Sequence, residues 1–377
     1  MKKLLTILGT RPQIIKASAV SRAIRRHQGA LEEIILHTGQ HYDAGLSGDF
    51  FGELGVPNPK YNLRVGSGSH ATQTARMLPG LEEILQEEKP DAVILYGDTN
   101  STLAGALAAS KLYIPILHIE AGLRSGDMNM PEEVNRICTD RVSTMLFAPT
   151  RSALENLRHE GIPLEQSAPL NPDKPLALFS GDVMLDNQLY FREKLKTQPI
   201  RHLDAFGSGF ILCTFHREKN TDIRENLGSI SKALLEIASA SHPMVIPMHP
   251  RTRLSYHTHG LDELLERMQQ HPYITILPPM AYLDTLQLLE SCSMVFTDSG
   301  GLQKEAFFLG KPSVIFREET EWTEIVEAGC AIPAACSLER IVEAHTQLKG
   351  RACPDAESLF GDGKAAERIC GAILTWL

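Results

Sequence analysis

Three carboxylates could transfer protons, two of them just past apolar runs, where an α/β protein keeps such groups. Asp98 follows one run in Tyr96-Gly97-Asp98-Thr99-Asn100-Ser101-Thr102, and Glu120 follows another in Leu117-His118-Ile119-Glu120-Ala121-Gly122-Leu123-Arg124. Glu132 opens a helical stretch in Met130-Pro131-Glu132-Glu133-Val134-Asn135-Arg136. Two of the three also have a plain structural reading. Asp98 fits an N-cap for the next helix, and Glu132 and Glu133 both suit the first turn of a helix led by proline. Glu120 has no capping role, so a carboxylate there calls for a counter-charge. Sharing one pocket, the three would raise one another's proton affinity and supply an acid and a base near neutral pH.

A second set of residues suits an anion. Gly9-Thr10-Arg11-Pro12-Gln13-Ile14-Ile15-Lys16 feeds a glycine turn into a helix, whose free N–H groups favour negative charge and whose Arg11 and Lys16 add to it. Thr214-Phe215-His216-Arg217-Glu218 offers His216 and Arg217 at the end of another apolar run, matched to a diphosphate. In Thr297-Asp298-Ser299-Gly300-Gly301-Leu302-Gln303-Lys304-Glu305, the small residues Ser299, Gly300 and Gly301 let backbone N–H groups approach phosphate oxygens closely. Glu305 follows on the same helix, spaced to accept hydrogen bonds from ribose hydroxyls.

The elements that must position these residues alternate strand and helix, the pattern of a parallel sheet covered on both faces. Strands are expected near 3–8, 33–38, 92–96, 115–119, 144–147 and 176–179, with helices near 13–27, 72–88, 101–111, 132–142 and 151–159. After the Pro-, Ser- and Asn-rich segment 161–174, a loop close to a domain boundary, a second series begins. Its strands fall near 210–214, 244–248, 273–277, 294–297 and 313–316, and its helices near 222–240, 282–291, 301–309 and 337–348. A last helix near 364–376 suits either domain. Most of the chemistry-bearing residues sit at or just past the carboxyl ends of strands, where doubly wound sheets bind ligands.

The 377 residues, 43% hydrophobic and 22% charged, are enough to bury two ordinary cores. A formal charge of -9 argues against a nucleic-acid or membrane-surface binder, which needs a basic field. The seven cysteines are scattered singly, with no CxxC and no Cys/His cluster, as expected of reduced thiols in a cytoplasmic protein with no metal site. Leu4–Leu8 is too short for an export signal, and no membrane span is visible.

The motifs resemble those of the non-hydrolysing UDP-N-acetylglucosamine 2-epimerase family along nearly the whole chain. They are GTRPQIIK at 9–16, TGQHYD at 38–43, GDTNST at 97–102, HIEAGLRS at 118–125, MPEEVNR at 130–136, HRE at 216–218 and DSGGLQKEA at 298–306. The resemblance implies a GT-B-like α/β fold of two Rossmann-like doubly wound domains with the ligand cleft between them. The first domain is expected at 1–178 plus 364–377, with the last helix crossing back onto it, and the second at 179–363. Asp98, Glu120 and Glu132 match the family's acid/base carboxylates, and Arg11, Lys16 and His216 its charged site residues. Ser299, Gly300 and Gly301 would hold the diphosphate and Glu305 the ribose, and Arg317 stands where the family has a site arginine.

Two departures from the commoner pattern bear on substrate. Gln40-His41-Tyr42 replaces the usual QHR, associated in some members with a regulatory substrate site. Gln13 and Lys304 each replace a usual Glu, as in the branch acting on UDP-2,3-diacetamido-2,3-dideoxy-glucuronate. A site accepting a uronate would shed acids or gain cations, and both changes go that way. The expected activity is inversion of C2 by elimination and re-addition of UDP, with no cofactor. The expected partners are the UDP-sugar and a second copy of the chain. Rivals are a hydrolysing 2-epimerase, a GT-B glycosyltransferase, which needs fewer carboxylates, and a non-catalytic nucleotide-sugar sensor.

Overall fold

The computed structural model describes residues 1–40, 48–164, 170–197 and 208–377. The chain divides into two compact units, Met1–Asn187 with Leu359–Leu377, and Gln188–Ser358. The sequence reading puts these breaks at 178/179 and 363/364. Of the 161–174 loop, residues 165–169 lie outside the described residues, as do His41, Tyr42 and Asp43 of the TGQHYD motif.

In the first unit the elements run β1 (Lys2–Leu8), α1 (Arg11–Arg26), β2 (Leu31–His37), α2 (Gly48–Leu54), β3 (Tyr61–Asn62), α3 (His70–Glu88), β4 (Ala92–Tyr96) and α4 (Asn100–Lys111). They continue with β5 (Ile116–Ile119), α5 (Pro131–Val142), β6 (Met145–Ala148), α6 (Arg151–His159), β7 (Leu176–Phe179) and α7 (Val183–Thr197), which runs across the division. The sheet order is β3-β2-β1-β4-β5-β6-β7, and every pairing is parallel. Parallel strands covered on both faces must be apolar throughout. β4 is accordingly fully buried over all five residues, packed with Leu5, Ile7, Met77, Leu81 and Ala104.

The second unit continues with β8 (Ile211–Thr214), α8 (Glu218–Thr221), α9 (Arg224–Ile237), β9 (Met244–Pro247), α10 (Pro250–Thr258), α11 (Asp262–Gln270), β10 (Ile274–Leu277) and α12 (Tyr282–Ser291). Then come β11 (Met294–Thr297), α13 (Gly300–Phe308), β12 (Ser313–Ile315), α14 (Thr323–Glu327), β13 (Ala331–Pro333), α15 (Leu338–Leu348) and α16 (Glu357–Phe360). Its parallel sheet has the order β10-β9-β8-β11-β12-β13.

The last helix, α17 (Ala365–Trp376), belongs to the first unit, where it packs on α1. Arg26 and Glu367 pair across the two helices at 2.7 Å. The Asp186 carboxylate accepts the first N–H groups of α17, from Ala365 at 3.0 Å and Ala366 at 2.8 Å. Each sheet reverses its strand order once, between β1 and β4 and between β8 and β11. These reversals open crevices at the strand ends, and the chemistry-bearing motifs occupy both.

Candidate active site

At the first reversal the turn from β1 into α1 is packed too tightly for a side chain at Gly9, whose added Cβ would lie 1.9 Å from Ser101 Oγ. Buried Gln13 fixes this turn. Its Oε1 accepts from Gly9 N at 2.8 Å and Thr10 N at 3.2 Å, and its Nε2 donates to the Tyr96 carbonyl and Thr102 Oγ1, both at 2.9 Å. Arg11, which follows, lays its guanidinium 5.0 Å from the centre of the Phe50 ring.

Asp98 is not the N-cap of α4. Thr99 takes that role, its side chain accepting from Thr102 N, and the Asp98 carboxylate is held by Arg136. Arg136 is buried and also bonds Glu133 at 2.7 Å. Glu133 in turn accepts from Ser125 N and Gly126 N, each at 3.0 Å. It is therefore committed to the loop before α5. Half-buried Glu132 makes no hydrogen bond or ion pair among the described residues.

Glu120 is buried, with a backbone φ of 71°, a left-handed conformation uncommon outside glycine. Its carboxylate pairs with Lys16. Gly97 lies against that pair, since a Cβ there would sit 3.1 Å from Lys16 Nζ and 3.3 Å from Glu120 Oε2. Lys16, Glu120 and the Gly97-Asp98 turn thus share one neighbourhood. Asp98 and Glu120 are each met by a cation.

Beneath them His118 is fully buried, with Nδ1 2.7 Å from Asp140 Oδ1 and Nε2 2.7 Å from the Gly97 carbonyl. Asp140 Oδ2 accepts from Gly122 N at 3.1 Å and Arg124 at 2.8 Å. Burial pushes the Asp140 carboxyl toward its neutral form, but the charges of His118 and Arg124 outweigh it and hold its pKa below the ordinary value.

At the second reversal a buried carboxylate organises backbone. Asp298 Oδ2 accepts from His216 N at 2.8 Å, Arg217 N at 2.9 Å and Asn220 Nδ2 at 2.9 Å, which ties the turn after β8 to the turn after β11. The exposed His216 ring places Nδ1 3.3 Å from Asp298 Oδ1. The Arg217 guanidinium forms no ion pair among the described residues. Ser299 caps α13, its side chain accepting from Leu302 N at 3.4 Å. Gly301 is exposed, while Gly300 before it is buried. A Cβ at Gly300 would lie 2.1 Å from Glu321 Oε1, and Glu321 is in turn paired with Arg317 at 2.7 Å. Glu305 is buried on α13, and its backbone carbonyl accepts from Gln188 Nε2 at 2.9 Å.

The family model for UDP-N-acetylglucosamine 2-epimerase matches residues 22–374. The chain belongs to that family. It is 48% identical over 367 residues to the UDP-2,3-diacetamido-2,3-dideoxy-D-glucuronate 2-epimerase of Pseudomonas aeruginosa, covering 97% of this chain and 98% of that one. The UDP-N-acetylglucosamine 2-epimerase of Methanocaldococcus jannaschii is 39% identical over 375 residues, covering 99% of each chain. A crystal structure of the M. jannaschii enzyme in complex with UDP-GlcNAc and UDP aligns over 100% of both chains with a TM-score of 0.85. The Neisseria meningitidis enzyme bound to UDP-GlcNAc aligns over 99% of this chain and 100% of that one, with a TM-score of 0.84 at 29% identity. The chain is thus a UDP-sugar 2-epimerase, an isomerase, with the GT-B-like pair of Rossmann-like units.

Within this epimerase, the residues that sequence reasoning left without a role are those that hold the others. Arg136, Asp298, His118 and Asp140 lie within or near motifs, but they have partners distant in the chain, while Glu321 pairs with Arg317 four residues before it. The charge argument for Gln13 and Lys304 does not hold. Gln13 is 1% exposed with both ends of its amide bonded inside the first unit, and Lys304 is 1% exposed with its Nζ 4.2 Å from the centre of the Trp322 ring. Among the described residues no His, Cys, Asp and Glu converge as a metal site, and no helix is long and apolar enough to cross a membrane.

Proposed function

We propose that the chain inverts C2 of UDP-2,3-diacetamido-2,3-dideoxy-glucuronate through a glycal. The C2 hydrogen of a 2-acetamido sugar is too weakly acidic to leave alone, so its loss is coupled to breaking the bond from C1 to the diphosphate oxygen. A carboxylate takes the C2 proton, UDP departs with the bonding pair, and a C1–C2 double bond remains. A proton then reaches the opposite face of C2 while the UDP oxygen returns to C1.

Two proton-transfer groups are needed, with cations for the leaving diphosphate. The observation that carries this reading is the grouping of Asp98 and Glu120, each with its own cation, at the first strand reversal. Asp98, Glu120 and Glu132 act as the acid/base set, Glu132 because it is not committed elsewhere. Lys16 and Arg11 steady developing charge. In the second unit Ser299, Gly300 and Gly301 receive the diphosphate, with His216, Arg217 and Arg317 as its cationic partners and Glu305 on the ribose.

The choice of the uronate rests on the 48% identity to the P. aeruginosa enzyme. UDP-N-acetylglucosamine, named for the M. jannaschii relative, is the second reading. A homodimer in the cytoplasm completes the proposal, with the seven cysteines present as free thiols in keeping with a reducing compartment.

The test is turnover of both UDP-sugars in D2O followed by NMR. Deuterium at C2 of an epimerised uronate is the expected result. Full retention of the original hydrogen overturns the elimination route, and release of free sugar favours hydrolysis. Epimerisation of UDP-N-acetylglucosamine alone overturns the substrate assignment.

A further inference from the structure

We propose that His118 is a positioning residue, an imidazolium whose two N–H bonds hold the turns that carry Asp98 and Glu120. This deepens the acid/base reading given above and rests on it.

Both ring nitrogens of His118 face acceptors. Nε2 is 2.7 Å from the Gly97 carbonyl oxygen, which accepts only, and Nδ1 is 2.7 Å from Asp140 Oδ1. A neutral imidazole has one N–H, so either tautomer leaves one short contact without a proton. A proton on Asp140 would rescue the neutral ring, but that carboxylate already receives Arg124 and the Gly122 N–H on its other oxygen, as an anion does. With Asp140 ionised, both His118 contacts are satisfied only by the cation.

The groups facing the ring explain why it stays charged and what it controls. From α5 comes Asp140, which balances the charge, and from the loop after β5 comes Arg124, which binds the same carboxylate. On the other side the Gly97 carbonyl belongs to the turn before Asp98, in a left-handed conformation with φ of 62°. Gly97 lies beside Lys16 and Glu120, leaving little room there for a side chain of its own. The Asp140 bond to Gly122 N fixes the far side of Glu120, whose own φ is 71°. Gly122 has no room to relax, since a Cβ there would lie 2.3 Å from the Ala153 carbonyl oxygen. His118 and Asp140 therefore brace both strained turns from below without touching solvent. α5 backs the arrangement twice, through Asp140 and, one turn earlier, through Arg136 on Asp98.

Side-chain 15N NMR of the full chain tests the charge directly. Both His118 nitrogens should show protonated shifts at about pH 7. In Asp140→Asn the anion is gone, and one ring nitrogen should show an unprotonated shift in the same spectrum. His118→Asn and His118→Gln can each retain a donor on one side but lose the charge. Both should lower kcat about a hundred-fold, the cost of misplaced reacting groups, while KM and UDP affinity change little.

An unprotonated His118 nitrogen in the wild type at pH 7 overturns the proposal, as does a His118→Asn enzyme with kcat within about twofold of wild type. If the His118 variants fail to fold, the wild-type and Asp140→Asn spectra decide. If the wild type epimerises neither UDP-sugar, the functional reading fails on its own, and the 15N spectra still report whether His118 is the cation described.

Discussion

At the ends of β4 and β5 the exposed chemistry is side-chain charge. Asp98 is met by Arg136 and Glu120 by Lys16, on a buried base of His118, Asp140 and Arg124. At the ends of β8 and β11 the buried Asp298 carboxylate is turned inward to gather backbone N–H groups, and the start of α13 offers Ser299, Gly300 and Gly301 with little side chain at all. The two crevices have the same topological origin and opposite construction. Proton transfer requires groups whose charge changes, so their counter-ions must be fixed around them. Holding a diphosphate requires groups whose charge never changes, and backbone dipoles serve for that.

If this contrast is right, substitutions in the two crevices separate turnover from binding. The largest effect is expected in the first. Asp98→Asn, Glu120→Gln and Glu132→Gln should each lower kcat by about two orders of magnitude or more, with the UDP dissociation constant nearly unchanged by calorimetry. A variant that turns over at close to the wild-type rate removes that residue from the acid/base set.

In the second crevice Asp298→Asn presents an amide where three N–H groups converge. UDP affinity should fall roughly ten- to a hundred-fold, from about 1.5–3 kcal/mol of lost charge-assisted bonding. Once saturated, the enzyme should retain most of its kcat. A fall in kcat with unchanged affinity would reverse the roles assigned to the two crevices.

Glu305→Ala is a finer probe of the same crevice, expected to weaken UDP about tenfold by removing a charged acceptor from the ribose. Unchanged affinity would leave Glu305 as a residue of the α13 core. The smallest effect concerns pH and lies in the first unit, away from the strand ends. Burial raises the Asp186 pKa from the ordinary carboxyl value to about 6, against the pull of the Ala366 and Ala365 N–H groups. A carboxyl with a raised folded pKa binds its proton better in the folded state. Its contribution to holding α17 is therefore full below about pH 4 and declines as pH rises to about 6. Hydrogen exchange in α17 should be faster at pH 7 than at pH 5 after correction for intrinsic rates, and Asp186→Asn should flatten the difference. Equal protection at both pH values in the wild type would contradict the buried-carboxyl account.

The sheets were legible because parallel strands leave continuous apolar runs; β4 at Ala92–Tyr96 and β11 at Met294–Thr297 fall where those runs do. Elements with little burial to advertise them were not. β13 is three residues long, and α10 mixes Pro250, Arg251, Thr252, Arg253 and His257 with few apolar residues. The reading of Asp98 as a possible N-cap was local and sensible, but Thr99 next to it satisfies the same N–H. Arg136 and Asp298 stood in plain view within motifs, yet their partners Asp98 and His216 lie 38 and 82 residues away, a distance that spacing arguments do not bridge. Gln13 shows the reverse error. Its charge relative to a glutamate looked like a substrate determinant, while its burial makes it part of the turn that presents Arg11.

The placement of α17 has a consequence for how the molecule is made. The first unit draws its α1 face partner and the groups that meet Asp186 from residues beyond Ser358, after every strand of the second unit has been laid down. During synthesis the ribosome therefore releases the whole of the second unit before the first can close over α1. Until then the face of that helix that meets α17 stays uncovered.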